Sequence, residues 1–278
     1  MKLLITGARG QLAGAIADEF RTDSDVLAYG RAELDIADFD AVMKRVRADK
    51  PDVIINCAAY TNVDRAEEEP DAALIANAFA VRVLARAAQE SGATLVHYST
   101  DFVFDGHTTR PYVEDDPTNP ESVYAQSKLL GEWFARDAPR AFVLRVESLF
   151  GGPAAKSSID RIVQALSEGR EAVVFSDRMV SPSYVVDVAA ATRVLVDRGE
   201  PGLYHCVGTG YATWYDVGVE IARVMGKERD ARLRPMSVAE VSLKAPRPQF
   251  AALANAKLQR VVPVPTWQDA VRRYVTAR

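Results

Sequence analysis

Over its first 150 residues the chain alternates short, uniformly apolar runs with stretches of helical period, and no other feature constrains its fold as strongly. Residues 2–6 are an apolar run that breaks at Gly7, and a helical pattern resumes at Gln11, with Phe20 four positions after Ile16. This reads as strand, glycine turn, helix. A second strand fits 26–29, and a helix carrying Phe39, Val42 and Val46 on one face leads to Pro51. The run 53–58 is apolar apart from Asn56, as expected of a parallel strand covered on both faces. A long helix follows from about 71 to 90, ended by Ser91-Gly92, then a strand over 94–98, a helix over 122–136 and a strand over 141–146.

After Gly151-Gly152-Pro153 the pattern loosens, although the spacing predicts helices over 157–168, 184–197, 215–225 and 266–274. Prolines are denser near the end, at 235, 246, 248, 263 and 265. The expected architecture is α/β. A Rossmann-type doubly wound parallel sheet over 1–150 binds a dinucleotide. A smaller C-terminal α/β lobe over 151–278 closes over the sheet edge and binds substrate, with a segment near 182–198 returning to the first domain. The 278 residues, 48% of them hydrophobic, supply ample core for this plan.

The formal net charge of −4 is spread along the chain rather than gathered into blocks, which argues against a nucleic-acid partner. The apolar run at the start is too short for a signal peptide, and no run approaches the roughly 18 to 20 residues that cross a bilayer. A cytoplasmic protein without a membrane partner is expected. Cys57 and Cys206 lie in apolar, strand-like segments and read as buried free thiols. His97, His107 and His205 lack ligand spacing, so no metal is expected.

The turn Thr6-Gly7-Ala8-Arg9-Gly10-Gln11-Leu12-Ala13 places small residues at Gly7, Gly10 and Ala13. A turn without side chains lets backbone N–H groups and the following helix N-terminus approach a pyrophosphate. Near the end of the second strand a carboxylate would bond a ribose 2′-OH, whereas a basic group would accept a 2′-phosphate. Here the chain reads Tyr29-Gly30-Arg31 with no acid, so Arg31, together with Arg9, leans the choice toward NADPH over NADH. Asp35-Ile36 either line the adenine pocket, or Asp35 caps the next helix.

Two further segments carry chemistry: His97-Tyr98-Ser99-Thr100-Asp101 at a strand end, and Tyr124-Ala125-Gln126-Ser127-Lys128 opening a helix. Residues four apart share a helix face, so the Tyr124 hydroxyl and the Lys128 ammonium can meet one ligand. An adjacent ammonium is expected to pull the phenol toward the working range. Thr100 can donate to a substrate carbonyl oxygen while Tyr124 protonates it, and Lys128 can hold the nicotinamide ribose. The expected chemistry is NADPH- or NADH-dependent reduction of a ketone.

With these residues in view, the chain resembles the extended short-chain dehydrogenases, and among them the dTDP-4-dehydrorhamnose reductases, over essentially its full length. The matching stretches are ITGARGQLAG from Ile5, NCAAYTNVDRAEEEP from Asn56, HYSTDFVFDG from His97, VYAQSKLLGE from Val123, GLYHCVGTGYATWYD from Gly202 and APRPQFAALANAKL from Ala245. The resemblance implies that Gly10-Gln11-Leu12, Asp35-Ile36 and Ala58-Ala59-Tyr60-Thr61 contact the cofactor. It implies an active site of Thr100, Asp101, Tyr124 and Lys128, and reduction of a 4-keto-6-deoxy sugar on dTDP. Such a substrate's diphosphate needs a cation, for which Arg247 is the leading candidate.

The chain also departs from the family pattern. Arg145-Val146-Glu147-Ser148 stands where the family usually reads Arg-Thr-Ser-Trp, which removes an aromatic and brings in a carboxylate. Val180 replaces a customary glycine, and Ala13 a third glycine of the turn. A reductase of another nucleotide ketosugar remains an alternative, as does a non-catalytic dinucleotide-binding subunit resembling the methionine adenosyltransferase beta subunit. The expected partner is a nucleotide sugar, with a homodimer left open.

Overall fold

The computed structural model describes residues 1–152 and 155–278. Pro153 of the expected Gly-Gly-Pro break lies outside the described residues. The first half runs β1 (Lys2–Thr6), α1 (Gln11–Phe20), β2 (Asp25–Tyr29), α2 (Phe39–Asp49), β3 (Val53–Asn56), α3 (Val63–Ala66), α4 (Pro70–Leu74), a π-helical turn (Ile75–Phe79), α5 (Ala80–Ser91), β4 (Thr94–Thr100), α6 (Val123–Ala135) and β5 (Ala141–Val146). The second half runs β6 (Leu149–Phe150), α7 (Ser158–Ser167), β7 (Ala172–Phe175), β8 (Met179–Val180), β9 (Ser183–Tyr184), α8 (Val185–Arg198), β10 (Gly202–His205), β11 (Ala212–Thr213), α9 (Trp214–Val224), β12 (Leu233–Met236), α10 (Ala256–Gln259) and α11 (Trp267–Thr276).

Six parallel strands form the central sheet in the order β10-β5-β4-β3-β1-β2. Because side chains alternate across a strand, β1 sends Leu3 and Ile5 to one face and Leu4 to the other. On the first face they meet Leu12, Ile16 and Phe20 of α1 and Val185, Val188 and Leu195 of α8. On the second, Leu4, Ile54, Leu95 and Val143 meet Val42 and Val46 of α2 and Val81 and Leu84 of α5. Each such fully buried side chain contributes roughly 1.5–3 kcal/mol. A separate cluster joins α7, α9 and α11 through Ile159, Ile162, Val217, Ile221, Trp267 and Val271.

The winding reverses between β1, which leads to β2 on one side, and β3, which leads to β4 and β5 on the other. A crevice opens beyond the carboxyl ends of the strands at such a point. Several elements differ from the sequence reading. The helix expected as one piece over 71–90 contains the π turn, and the third strand stops at Asn56 rather than 58. The two-residue strands β6, β8, β9 and β11 carry no periodic signal and were not expected. Among the described residues no helix is long and apolar enough to cross a membrane.

Candidate active site

Gly7 follows β1 with φ +69°, and a Cβ there would lie 2.7 Å from the Ala58 backbone nitrogen. Only glycine meets both conditions, so β1 and the segment after β3 close tightly around a turn that has no side chain. The Gly10 N–H donates to the Gly7 carbonyl at 2.8 Å, and Gly10 begins α1 without a side-chain cap. The first-turn N–H groups of α1 are thereby left for an anionic ligand. A cleft of about 830 Å³ extends from this turn, lined by Gly7, Gly10, Arg31, Asp35, Ile36, Ala58, Ala59 and Thr61. The turn and cleft fit a dinucleotide. The Leu12 side chain instead packs in the core, leaving only its backbone for a ligand, and the Gln11 amide donates to the Leu149 carbonyl at 3.2 Å.

The carboxylates near β2 need a correction. Asp38, not Asp35, caps α2, its side chain accepting from the Ala41 N–H. Asp35 accepts from the Ala37 N–H at 3.0 Å and from Arg31 Nε at 3.0 Å, and these contacts hold its carboxyl below the usual range, the backbone N–H most strongly. The chain also turns Glu33 back against Gly30, where it pairs with Arg9 at 3.3 Å. An acid therefore stands at the place where the linear sequence shows none. Both basic residues that lean the site toward a phosphate already have carboxylate partners.

Thr100 ends β4, and Tyr124 and Lys128 lie in the first turns of α6, whose cap is Ser122 accepting from the Ala125 N–H. Thr100, Asp101 and Lys128 are buried, while Tyr124 keeps part of its ring exposed. Loss of hydration pushes the Tyr124 phenol up to about 12; the neighbouring Thr100 hydroxyl opposes this and the Asp101 charge adds to it. Burial draws Lys128 down to about 8, against the favourable charge of Glu132. Lys128 does not lower the Tyr124 pKa here, contrary to the expectation from sequence. Its Nζ donates to the Tyr98 carbonyl at 2.5 Å, and its charge acts on His97 and Cys57. Thr100 likewise donates to Asp101 Oδ1 at 2.9 Å rather than pointing its proton outward.

Several supporting residues were not foreseen. Asn77, in the π turn, accepts from the Tyr60 N–H at 2.8 Å and donates to the Tyr60 carbonyl and the Ser127 hydroxyl, both at 3.0 Å. It thereby ties the cofactor-cleft segment to the helix that carries Tyr124. Glu132 and Arg145 form a buried two-pronged ion pair at 2.8 Å, and Ser99 donates to the same carboxylate at 2.6 Å. This pair links α6, β5 and the end of β4. Asn77 had one usable signal in the sequence, as a lone amide within an apolar helical run.

Arg247 donates to Asp64 at 2.8 Å and to the Ala245 carbonyl at 3.0 Å. Its guanidinium lies 5.8 Å from the Phe102 ring, and that of Arg178, which the sequence reading did not single out, lies 5.5 Å from it. Phe102 meets the Tyr124 ring edge-on at 5.7 Å. Arg178 also lines a second hollow of about 360 Å³, with Arg161, Phe175, Trp214 and Met236. Val180, at the customary glycine position, is fully buried in β8 opposite Ala212.

Comparison with known proteins places this geometry among relatives. The model of the family described as RmlD substrate binding domain matches residues 1–278. The chain is 34% identical to a dTDP-4-dehydrorhamnose reductase of Sinorhizobium fredii, covering 100% of this chain and 97% of that one. It is 35% identical to a probable dTDP-4,6-dihydroxy-2-methyloxan-3-one 4-ketoreductase of Streptomyces antibioticus, covering 98% and 94%. A solved structure of the reductase from Bacillus anthracis in complex with NADP superposes with a TM-score of 0.94 at 30% identity, covering 100% of this chain and 99% of that one.

Proposed function

This chain belongs to the RmlD substrate binding domain family, and from that membership we propose that it is a cytoplasmic NADPH-dependent reductase of a nucleotide-linked 4-ketosugar. The substrate in this reading is dTDP-4-dehydro-L-rhamnose and the product dTDP-L-rhamnose, as the names of its relatives suggest. The observation that supports the reading is the Thr100 hydroxyl beside the Tyr124 phenol, with Lys128 one helical turn on and its charge acting on Cys57 at the wall of the glycine-turn cleft. Residues 1–150 with 182–198 would hold the dinucleotide, and the rest of 151–278 the nucleotide sugar. The 360 Å³ hollow, with three arginines among its lining, suits a nucleoside diphosphate.

The reduced nicotinamide supplies hydride to the carbonyl carbon when bound. Tyr124 gives its proton to the developing alkoxide; with its pKa raised to about 12 by burial the phenol is fully protonated at neutral pH and ready to donate, though a weaker acid than a free tyrosine. Thr100 sits beside the phenol and positions the same oxygen. Lys128, one helical turn from Tyr124, would hold the nicotinamide ribose. Arg247 and Arg178, 5.8 and 5.5 Å from the Phe102 ring, would supply positive charge for a diphosphate.

The test is NADPH consumption with dTDP-4-keto-6-deoxy-L-lyxo-hexose. Turnover is expected, and Tyr124→Phe should lower it by about 100-fold or more, while cofactor affinity stays near wild type. Absence of turnover with every 4-ketosugar offered would remove the enzyme reading. Glu147-Ser148, in place of the usual Ser-Trp, favours a second reading in which another 4-ketosugar is preferred. That outcome would appear as higher kcat/KM with the second sugar.

A further inference from the structure

Behind the proposed proton donor lies a group of charges that hydride transfer does not use. Glu147 follows β5 and is buried, with only one carboxylate oxygen partnered: Oε2 accepts from the Ser181 N–H at 2.7 Å. Asp101 is equally buried, and its Oδ1 accepts from the Thr100 hydroxyl. Among the described residues, the enclosed atoms Glu147 Oε1, Asp101 Oδ2 and Arg178 Nε have no hydrogen-bond partner. Two ionised carboxylates cannot satisfy one another, because each only accepts. One protonated carboxyl beside one ionised carboxylate can.

We infer that Glu147 is a carboxylic acid at neutral pH and donates its proton to the free oxygen of Asp101, so that Asp101 keeps its charge and its hold on the Thr100 hydroxyl beside Tyr124. This makes Glu147 a positioning residue for the reduction, and the inference rests on the reductase reading. The groups facing the pair agree with one negative charge between them. Burial drives the Glu147 carboxyl far above its usual range, and the charge of Asp101 adds to this more strongly than that of Arg178 opposes it. Burial raises Asp101 to about 6, against the charge of Arg178, the Thr100 hydroxyl and the Phe102 N–H, which hold it down. Arg178 in turn faces Arg247. One arginine, one carboxylate and one neutral acid form a balanced cluster; a second carboxylate charge in it would add to that of Asp101, which already makes the Tyr124 phenol harder to ionise.

Infrared spectroscopy and a pH profile test this together. Wild type at pH 7 should show the carbonyl stretch of a protonated carboxyl that is absent from Glu147→Gln, whose amide can donate to Asp101 in the acid's place. In turnover, Glu147→Gln should stay within about threefold of wild type at pH 7. It should also lack the part of the alkaline decline that wild type owes to this proton. Glu147→Ala, which supplies no donor, should lose about tenfold or more in kcat with little change in KM. Identical protonated-carboxyl bands in wild type and Glu147→Gln would overturn the inference, as would an unchanged alkaline limb. If wild type turns over no ketosugar, the reductase reading fails while the infrared band still decides where the proton lies.

Discussion

Lys128 is held where its charge costs stability. Its folded value of about 8 lies below the ordinary 10.5 because burial strips water from the ammonium. Below pH 8 both folded and unfolded chains carry the proton and the full cost is present. Between about 8 and 10.5 the folded state has released a proton that the unfolded state still binds, so stability rises with pH across that window. Lys128→Met should therefore melt higher than wild type at pH 7, by about 1–2 kcal/mol after losing the bond to Tyr98, while turnover collapses. A lower melting point for the variant would show that the hydrogen bond outweighs the buried charge. Gly7→Ala should fail differently. With φ at +69° and the Ala58 nitrogen 2.7 Å from its new Cβ, the turn must open, and NADPH affinity measured by fluorescence titration should drop about tenfold or more.

At the scale of elements, α6 and the π turn are locked more closely than ordinary helix packing allows. A Cβ on Gly131 would sit 2.1 Å from the Asn77 carbonyl oxygen. Gly131→Ala should cost about 1–3 kcal/mol in chemical denaturation. It should also weaken cofactor binding, because Asn77 holds Tyr60 on the cleft side; a variant with wild-type stability would contradict this packing. The alternation of strands and helices was legible because each element announces itself within a few residues, as in the apolar run Val53-Ile54-Ile55 of β3. The glycine turn and the Tyr124–Lys128 spacing are legible for the same reason, being local. What joins them is not. Glu132 meets Arg145 13 residues on, from helix to strand, and Asn77 meets Ser127 50 residues on, so nothing in either segment alone points to its partner. Glu33 was overlooked because its approach to Gly30 depends on a turn, and β8 with β11 because two-residue strands have no period.

Across the whole molecule, the chain passes more than once between the central sheet and the cluster of α7, α9 and α11. α8 covers α1, and β10 completes the sheet beside β5, although both follow α7 and β7 in sequence. The segment 244–254 then runs back between them: Ala245 and Arg247 bond Asp64, Ala251 bonds the Met179 carbonyl, and Ala254 bonds the Tyr112 carbonyl. A fragment ending at residue 150 would expose one face of Leu12, Ile16 and Phe20. It should show no cooperative melting by circular dichroism, and a cooperative transition near that of the full chain would mean that α8 is dispensable.

The late arrival of β10 also sets a schedule for biosynthesis. The strand that closes the sheet beside β5 is Gly202–His205, so a nascent chain emerging from the ribosome carries an unpaired β5 edge until the intervening helices have been made. Parallel pairing of that separation is slow and leaves adhesive backbone uncovered meanwhile. Yield of native protein should depend on how long translation lingers between β5 and β10, a sensitivity that follows from the order of strands alone.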